Sequence, residues 1–386
     1  LSRYLFVVPP LVGHINPTLA VAEQLEERGH DVAWVGHEGA LGSLLVAGSR
    51  TFRASDDTLD ADLVRLRSAW QELKGVAALQ FFWQEFVVPL GRAMVPGVDR
   101  AIAEFRPDVV ICDQQAIAGP VAAMRAGLPW VTSATTSAEL ARSLRDLPKV
   151  EEWIRQLVAK FQRDAGIAGP ADLRFSDLLV LCFTTAELIG ADMSFPDHYV
   201  FTGPAMSHRP PSGYFPWDRL DADRRRVLVS LGSLNAVAGR RFFGVASEAL
   251  GELVQLVMVA PDGMVADAPA GSIVCDWVPQ LDLLPHLDSV VSHAGHNTVV
   301  EALAHGLPQV VAPIRDDQPV VAQQVEAAGA AIRVRFARVR ASEMRHAVST
   351  VLDDPTYRCA AERIQRSFAA AGGAVTAADH LVGLVA

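Results

Sequence analysis

Short apolar runs, each closed by a glycine, a proline or a polar residue and followed by a helical pattern, recur along the whole chain. In the first half they fall at 4–9 (YLFVVP), 31–35 (DVAWV), 107–112 (PDVVIC) and 129–133 (PWVTS). In the second half they fall at 226–231, 253–259, 272–275, 290–292 and 309–312. A strand with one wet face alternates apolar and polar residues, whereas a run that is apolar throughout is buried on both faces, as in a parallel sheet sandwiched by helices. The chain is therefore expected to be α/β, with two Rossmann-like parallel-sheet domains. Its 386 residues are enough for two, and the pattern restarts after a Pro/Gly-rich stretch at 203–216. The expected division is an N-terminal domain over 1–205, a linker over 206–223 and a C-terminal domain over 224–371. A last helix over 372–386, opened by Gly372-Gly373, is expected to pack back toward the N-terminal domain.

Composition narrows the class further. With 50% hydrophobic and 20% charged residues the chain reads as a well-packed soluble protein, and no stretch approaches the roughly 20 apolar residues of a membrane span. The opening LSRYLFVVPP is too short and too proline-bounded for a secretory signal and reads as a buried strand. The net charge of −10 argues against nucleic acid and anionic membranes as partners. Cys112, Cys182, Cys275 and Cys359 lie far apart, and three of them follow or occupy strand-like runs, so free thiols in a reducing cytoplasm are expected.

The stretch 276–318, DWVPQLDLLPHLDSVVSHAGHNTVVEALAHGLPQVVAPIRDDQ, concentrates the polar chemistry. Val290-Val291 forms a strand, His293-Ala294-Gly295-His296-Asn297-Thr298 a turn, and Val299 to Leu303 continues as a helix. Unpaired N–H groups and the positive end of a helix dipole meet at such a turn, which suits a diphosphate. Glu301 lies one helical turn beyond Asn297, where a carboxylate can accept both hydroxyls of a ribose. In the first half, the loop from Pro10 through Gly13, His14 and Ile15 is expected to lead into a helix capped by Asn16, started by Pro17 and stopped by Gly29. An aromatic segment with Phe81, Phe82, Trp83 and Phe86, and a second helix carrying Trp153, read either as core or as the lining of a greasy acceptor site.

The WVPQ start, the HAGHNTVVEAL centre and the closing DDQ, with the GHINP loop and the SLGS turn, resemble the family 1 glycosyltransferases. This GT-B group uses nucleotide sugars and includes plant and bacterial small-molecule enzymes. The resemblance covers essentially the whole chain. It implies a GT-B fold whose two domains face a cleft, the first taking the acceptor and the second the donor. Trp277 would stack on the base while the Val278 backbone reads its edge, and Gln280 and Glu301 would hold the ribose. Gly13, Ser233, His293, Gly295, His296, Asn297 and Thr298 would surround the diphosphate, and Asp317 and Gln318 would bind the sugar hydroxyls.

His14, in a loop after the first strand, is the candidate general base, with Asp113 at the end of another strand to orient it. Family members commonly use such a pair. The expected reaction is a single displacement with inversion, with no cofactor beyond a UDP- or dTDP-sugar co-substrate. No metal is expected either: Asp316-Asp317 lacks Asp-x-Asp spacing, and His293 and His296 have no third ligand near them in sequence. UDP-glucose is the first donor and a hydrophobic small molecule the acceptor, with a dTDP-deoxysugar donor as the alternative. Less favoured are a UDP-sugar epimerase, which needs no acceptor region, and a non-catalytic nucleotide-sugar-binding partner protein. The chain is expected to be a monomer or homodimer.

Overall fold

The computed structural model describes every residue except 56–65, 67–68, 71–72, 74, 141–147, 170–171, 191–192, 208–212, 233–238, 266 and 386. The chain divides into two compact units, Leu1–Phe183 with Ser194–Ser207 and Ala371–Ala386, and Thr184–Met193 with His208–Ala370. The expected boundaries shift in two places. Residues 184–193 belong to the second unit, because Leu188 packs in a core cluster with Val299 and Phe368. Nor is 206–223 a separate linker: Phe215 is buried beside Val278 and Leu283, and the Asp221 N–H donates to Gln255 Oε1 at 2.8 Å.

The first unit holds β1 (Arg3–Val7), β2 (Asp31–Gly36), β3 (Thr51–Arg53), β4 (Val109–Asp113), β5 (Trp130–Ala134), β6 (Val180–Cys182) and β7 (Tyr199–Phe201). They form one sheet in the order β3-β2-β1-β4-β5-β6-β7, with every neighbouring pair parallel. The reason these runs are apolar throughout is visible in the packing. Leu5, Val7, Val110 and Cys112 face one buried cluster, while Tyr4, Phe6, Val109 and Ile111 face another across the sheet. The second cluster also takes Ala377, Ala378 and Leu381 of the last helix, Gly373–Gly383, which the Gly373 N–H ties to the Thr202 carbonyl at 2.7 Å.

The second unit repeats the plan with β8 (Arg226–Ser230), β9 (Gln255–Val259), β10 (Ile273–Cys275), β11 (Ser289–Ser292), β12 (Gln309–Val311) and β13 (Ala331–Arg333). The order is β10-β9-β8-β11-β12-β13, again all parallel. In both sheets the chain winds outward one way from its first strand and then crosses to the other side. The topological switch points thus lie between β1 and β4 and between β8 and β11.

Two local expectations change. The helix after β1 runs over Val12–Glu27, so His14, Asn16 and Pro17 lie inside it and Leu11, in extended conformation, is the N-cap. The Leu11 carbonyl accepts from the His14 and Ile15 N–H groups, which starts the helix five residues before the predicted cap. Gly29, with φ +83°, does end it. The aromatic segment is a helix, Val76–Phe81, that widens into a π-helical stretch over Phe82–Val87 before continuing as Val88–Phe105. Pro89 has no N–H for the carbonyl four residues back, and the widened turn directly precedes it.

Cys112 and Cys182 are buried free thiols whose ionisation burial opposes; Cys275 is partly buried and Cys359 exposed. Among the described residues no helix is long and apolar enough to cross a membrane.

The closest packing in the first unit is helix against backbone. A Cβ at Gly97 would lie 2.0 Å from the Ala54 carbonyl oxygen and 2.5 Å from its Cα, so nothing flexible can yield. Gly97→Ala is expected to destabilise the first unit by about 3 kcal/mol, read as a lower midpoint in thermal or denaturant unfolding.

Candidate functional site

Polar side chains gather at both switch points. In the first unit β1 leads into the helix that carries His14 in its first turn, while β4 ends on Asp113. His14 Nδ1 lies 3.0 and 2.9 Å from the two Asp113 carboxylate oxygens. The Asp113 side chain is completely buried and that of His14 is 15% exposed, so the ring keeps an accessible edge over a shielded carboxylate. Gln115 N–H donates to Asp113 Oδ1 at 2.8 Å. A third side chain, absent from the sequence reading, completes the cluster. Thr135 Oγ1, just past β5, is 2.7 Å from His14 Nδ1 and donates to Asp113 Oδ2 at 2.7 Å. The available signal was positional: Asp113 pairs with Ser133 across the sheet, and Thr135 stands two residues on, at the same strand ends.

Glu139, in the short helix after β5, carries a carboxyl oxygen sealed from solvent. Burial makes it a weaker acid, pushing its pKa up to about 7 against the attraction of Arg174. Arg174 is itself buried and held by Asp172 and Glu151 at 2.8 Å each.

The switch point of the second unit is built differently. The His293 ring is packed between two glycines: a Cβ at Gly232 would lie 2.7 Å from Cε1, and one at Gly295 2.5 Å from Nε2. Burial pushes His293 down to about 4, although Asp317 pulls the other way, so the ring is neutral. A neutral ring can offer a ligand hydrogen bonds but no charge. The left-handed residue of the turn is Ala294, with φ 65°, not the glycine: Gly295 has φ −62° and is required for its missing Cβ. Helix His296–Ala304 begins there without a side-chain cap, with His296 buried and Asn297 and Thr298 half-buried in its first turn. Helix first turns present N–H groups that have no intrahelical partner, and the dipole is positive there.

Of the remaining predicted donor residues, Gly13 lies in the first turn of helix Val12–Glu27 in the first unit, and the others belong to the second unit. Gln280 Nε2 donates to Glu301 Oε2, which joins the two residues expected at the ribose, and Glu301 is only 2% exposed. Trp277 is half-buried, with the Gly213 backbone against its six-membered ring: a Cβ there would stand 3.2 Å from Cε3. Val278 is buried in the core. Past β12, Asp316 has φ 58° and Gln318 closes the loop, its Oε1 accepting from the Ile314 and Arg315 N–H groups at 2.9 and 3.1 Å. Asp317, beside it, is half-buried. Ser233 lies outside the described residues.

The aromatic acceptor candidates separate. Trp83 and Phe86 belong to the main core of the first unit, and Trp153 packs on its margin, which favours the core reading. Phe81 and Phe82 are half-buried, and Phe82 stacks with Trp70 and Phe86 at centroid distances of 5.2 and 5.7 Å.

Two Rossmann-like sheets, each with its polar cluster at the switch point, make up the GT-B glycosyltransferase architecture. Solved structures share it: the calicheamicin glycosyltransferase CalG4 has a TM-score of 0.80 at 21% identity, covering 99% of this chain and 98% of that one. The glycosyltransferase VinC, solved in complex with dTDP, has a TM-score of 0.75 at 21% identity, covering 98% of each. Residues 196–367 match the family described as UDP-glucoronosyl and UDP-glucosyl transferase. Over 424 aligned residues the chain is 26% identical to 4'-demethylrebeccamycin synthase of Lentzea aerocolonigenes, covering all of both proteins. The chain is thus similar to this family over residues 196–367, and to its glycosyltransferase relatives over its whole length.

Two of the buried titratable groups, Glu139 and His293, act on stability in opposite senses. Glu139 is protonated more tightly in the folded chain, so its contribution is present at low pH and is lost as pH rises from about 4.5 to about 7. His293 resists protonation in the folded chain, so its contribution is present above about 6.5 and is lost as pH falls toward 4. Acidification from pH 8 to pH 5 is expected to raise the calorimetric midpoint of the first unit relative to the second. Glu139→Gln should remove the first unit's share, at most roughly 3 kcal/mol.

Proposed function

We propose that the chain is an inverting glycosyltransferase that moves a sugar from a nucleoside diphosphate to a hydroxyl of a hydrophobic small molecule. The observation that carries this reading is the His14–Asp113 pair, an accessible imidazole anchored on a fully buried carboxylate at a Rossmann switch point. As the acceptor oxygen attacks the anomeric carbon, His14 takes the hydroxyl proton and Asp113 steadies the resulting imidazolium. The bond from the anomeric carbon to the diphosphate oxygen breaks in the same displacement. The departing charge is drawn to the first turn of helix His296–Ala304, around His293, Gly295, Asn297 and Thr298. The helix dipole is the proposed diphosphate seat, without a metal.

For the donor, the hydrogen-bonded Gln280–Glu301 pair suits a ribose, and UDP-glucose remains the first choice. A dTDP-deoxysugar is the second reading, favoured by the likeness to VinC, which was solved with dTDP. The half-buried Phe81 supports an apolar acceptor, whereas Phe82 packs against the core like Trp153.

His14→Ala is expected to lower turnover by about 10²- to 10⁴-fold while UDP affinity, measured by titration calorimetry, stays within about threefold. Wild-type turnover in that variant would remove His14 from the mechanism. Glu301→Ala should weaken UDP binding by about 10- to 100-fold through loss of charge-assisted hydrogen bonds. Parallel titrations with UDP and dTDP, and a mass-spectrometric screen of hydroxylated aglycones with UDP-glucose and dTDP-glucose, decide between the donors.

A further inference from the structure

We infer that Gln114 and Glu139 form a polar subsite in the first unit that takes an amino group of the acceptor. The inference rests on the reading of the chain as a glycosyltransferase with His14 as its base, and it names a chemical feature that the otherwise apolar acceptor carries.

Both residues hold polar atoms away from water without giving them a partner. Gln114 is fully buried, and neither its Oε1 nor its Nε2 makes a hydrogen bond among the described residues; nor does the sealed Oε2 of Glu139. The two side chains are neighbours: the Gln114 amide favours the charged form of the Glu139 carboxyl, yet it is not placed to close a hydrogen bond with Oε2. Leaving buried polar atoms unpaired costs stability, and perturbed groups of this kind concentrate at functional sites. The nearby cation is already committed, since Arg174 gives its Nε and Nη2 hydrogens to Asp172 and Glu151 at 2.8 to 2.9 Å. Glu139 also stands in the field of Asp172 and Asp113, both of which oppose its ionisation. What remains is two acceptor oxygens, Glu139 Oε2 and Gln114 Oε1, in a place with more carboxylates than cations. A hydroxyl has one hydrogen and no charge to offer there; a protonated amine has three hydrogens and the missing positive charge.

The place suits the reaction. Gln114 directly follows Asp113 at the end of β4. Asp113 turns its side chain to His14, whose helix packs in the core cluster that holds Phe6 and Ile111. Gln114 turns to Glu139, which lies in the field of Arg174, and the Arg174 guanidinium is 6.0 Å from the Trp83 ring in the cluster on the other face of the sheet. A molecule lying across the end of β4 therefore meets the base on one side and the Gln114–Glu139 pair on the other. Glu139 as a whole is half-buried, so the residue borders solvent although Oε2 does not. An acceptor held at its amine and at its reacting hydroxyl has two fixed points, and that is how one hydroxyl among several is brought to the base.

The test is a ratio of affinities on the full chain, read by ligand-observed NMR. The probes are tyramine, 4-ethylphenol, which is the same phenol without the amine, and N-acetyltyramine, which keeps the arm and loses the charge. Tyramine should bind the wild type about 10- to 100-fold more tightly than either of the others, the range expected of hydrogen bonds to a charged group. Glu139→Gln should bring that ratio to within about threefold of one, and Gln114→Leu should lower it by about 3- to 10-fold. A residue that served only the fold would move all three affinities together and leave the ratio where it was. A wild-type ratio near one, or binding of none of the three, overturns the inference even if neither variant folds. So does a folded Glu139→Gln that keeps the preference for tyramine. Because the ratio needs no turnover, the underlying reading fails separately: a preference intact in a chain that transfers sugar from neither UDP-glucose nor dTDP-glucose to any screened aglycone overturns the proposed function and not the subsite.

Discussion

A parallel sheet buried on both faces leaves the middle of its strands little room for charged side chains, and that constraint distributes much of the chemistry of this chain. Leu5 and Val7 face one core and Tyr4 and Phe6 the other, so nothing reactive can sit along β1. Polar groups are displaced to the strand ends. Among those ends the switch point is where the connections of adjacent strands part to opposite faces. Asp113 ends β4, His14 lies in the helix after β1 and Thr135 follows β5. In the second unit Gly232 follows β8, His293 follows β11 and Gln318 lies beyond β12.

The same constraint explains how much of the fold was legible. Strands such as 4–9, 107–112 and 309–312 announce themselves because burial on both faces removes polar residues from them. The edge strands β3, β7 and β13 were not read, because they are only partly buried and carry little apolar pattern; the short β6 was not read either. The start of the first helix was misplaced for a different reason. Asn16-Pro17 has the form of a cap and a first residue, but the Leu11 carbonyl already accepts the first helical bonds, and Pro17 is tolerated inside. The unit boundaries moved because residues 184–193 are assigned by what Leu188 packs against, a fact about distant chain.

At the site, pairs separated by long stretches were legible where each residue type has a chemical role of its own. His14 and Asp113, 99 positions apart, were paired on that ground and do meet. Thr135 has no such signature, since a threonine after a strand is ordinarily a turn residue, and only the register of β4 with β5 brings its hydroxyl to both partners. The aromatic residues show the converse. Trp83 and Phe86 looked like acceptor lining as readily as core, and composition cannot tell which way a helix turns; the packing sends these two inward.

The turn after β11 carries the same lesson to the level of single atoms. A histidine followed by Ala-Gly suggests a cationic ring beside a flexible glycine, whereas the physical arrangement is a neutral ring beside a strained alanine. His293 is packed so tightly between Gly232 and Gly295 that neither position has space for a Cβ, and the burial this produces keeps its charge off. The left-handed turn then has to fall on Ala294, whose N–H reaches Ser292 Oγ at 3.2 Å. A left-handed alanine costs about 1 kcal/mol, and residues in such conformations persist where their surroundings over-determine them. Here the surroundings are the packed imidazole on one side and the first turn of helix His296–Ala304 on the other. The positive potential of this turn therefore comes from backbone dipoles held rigid by an uncharged ring, a source that does not titrate near neutral pH.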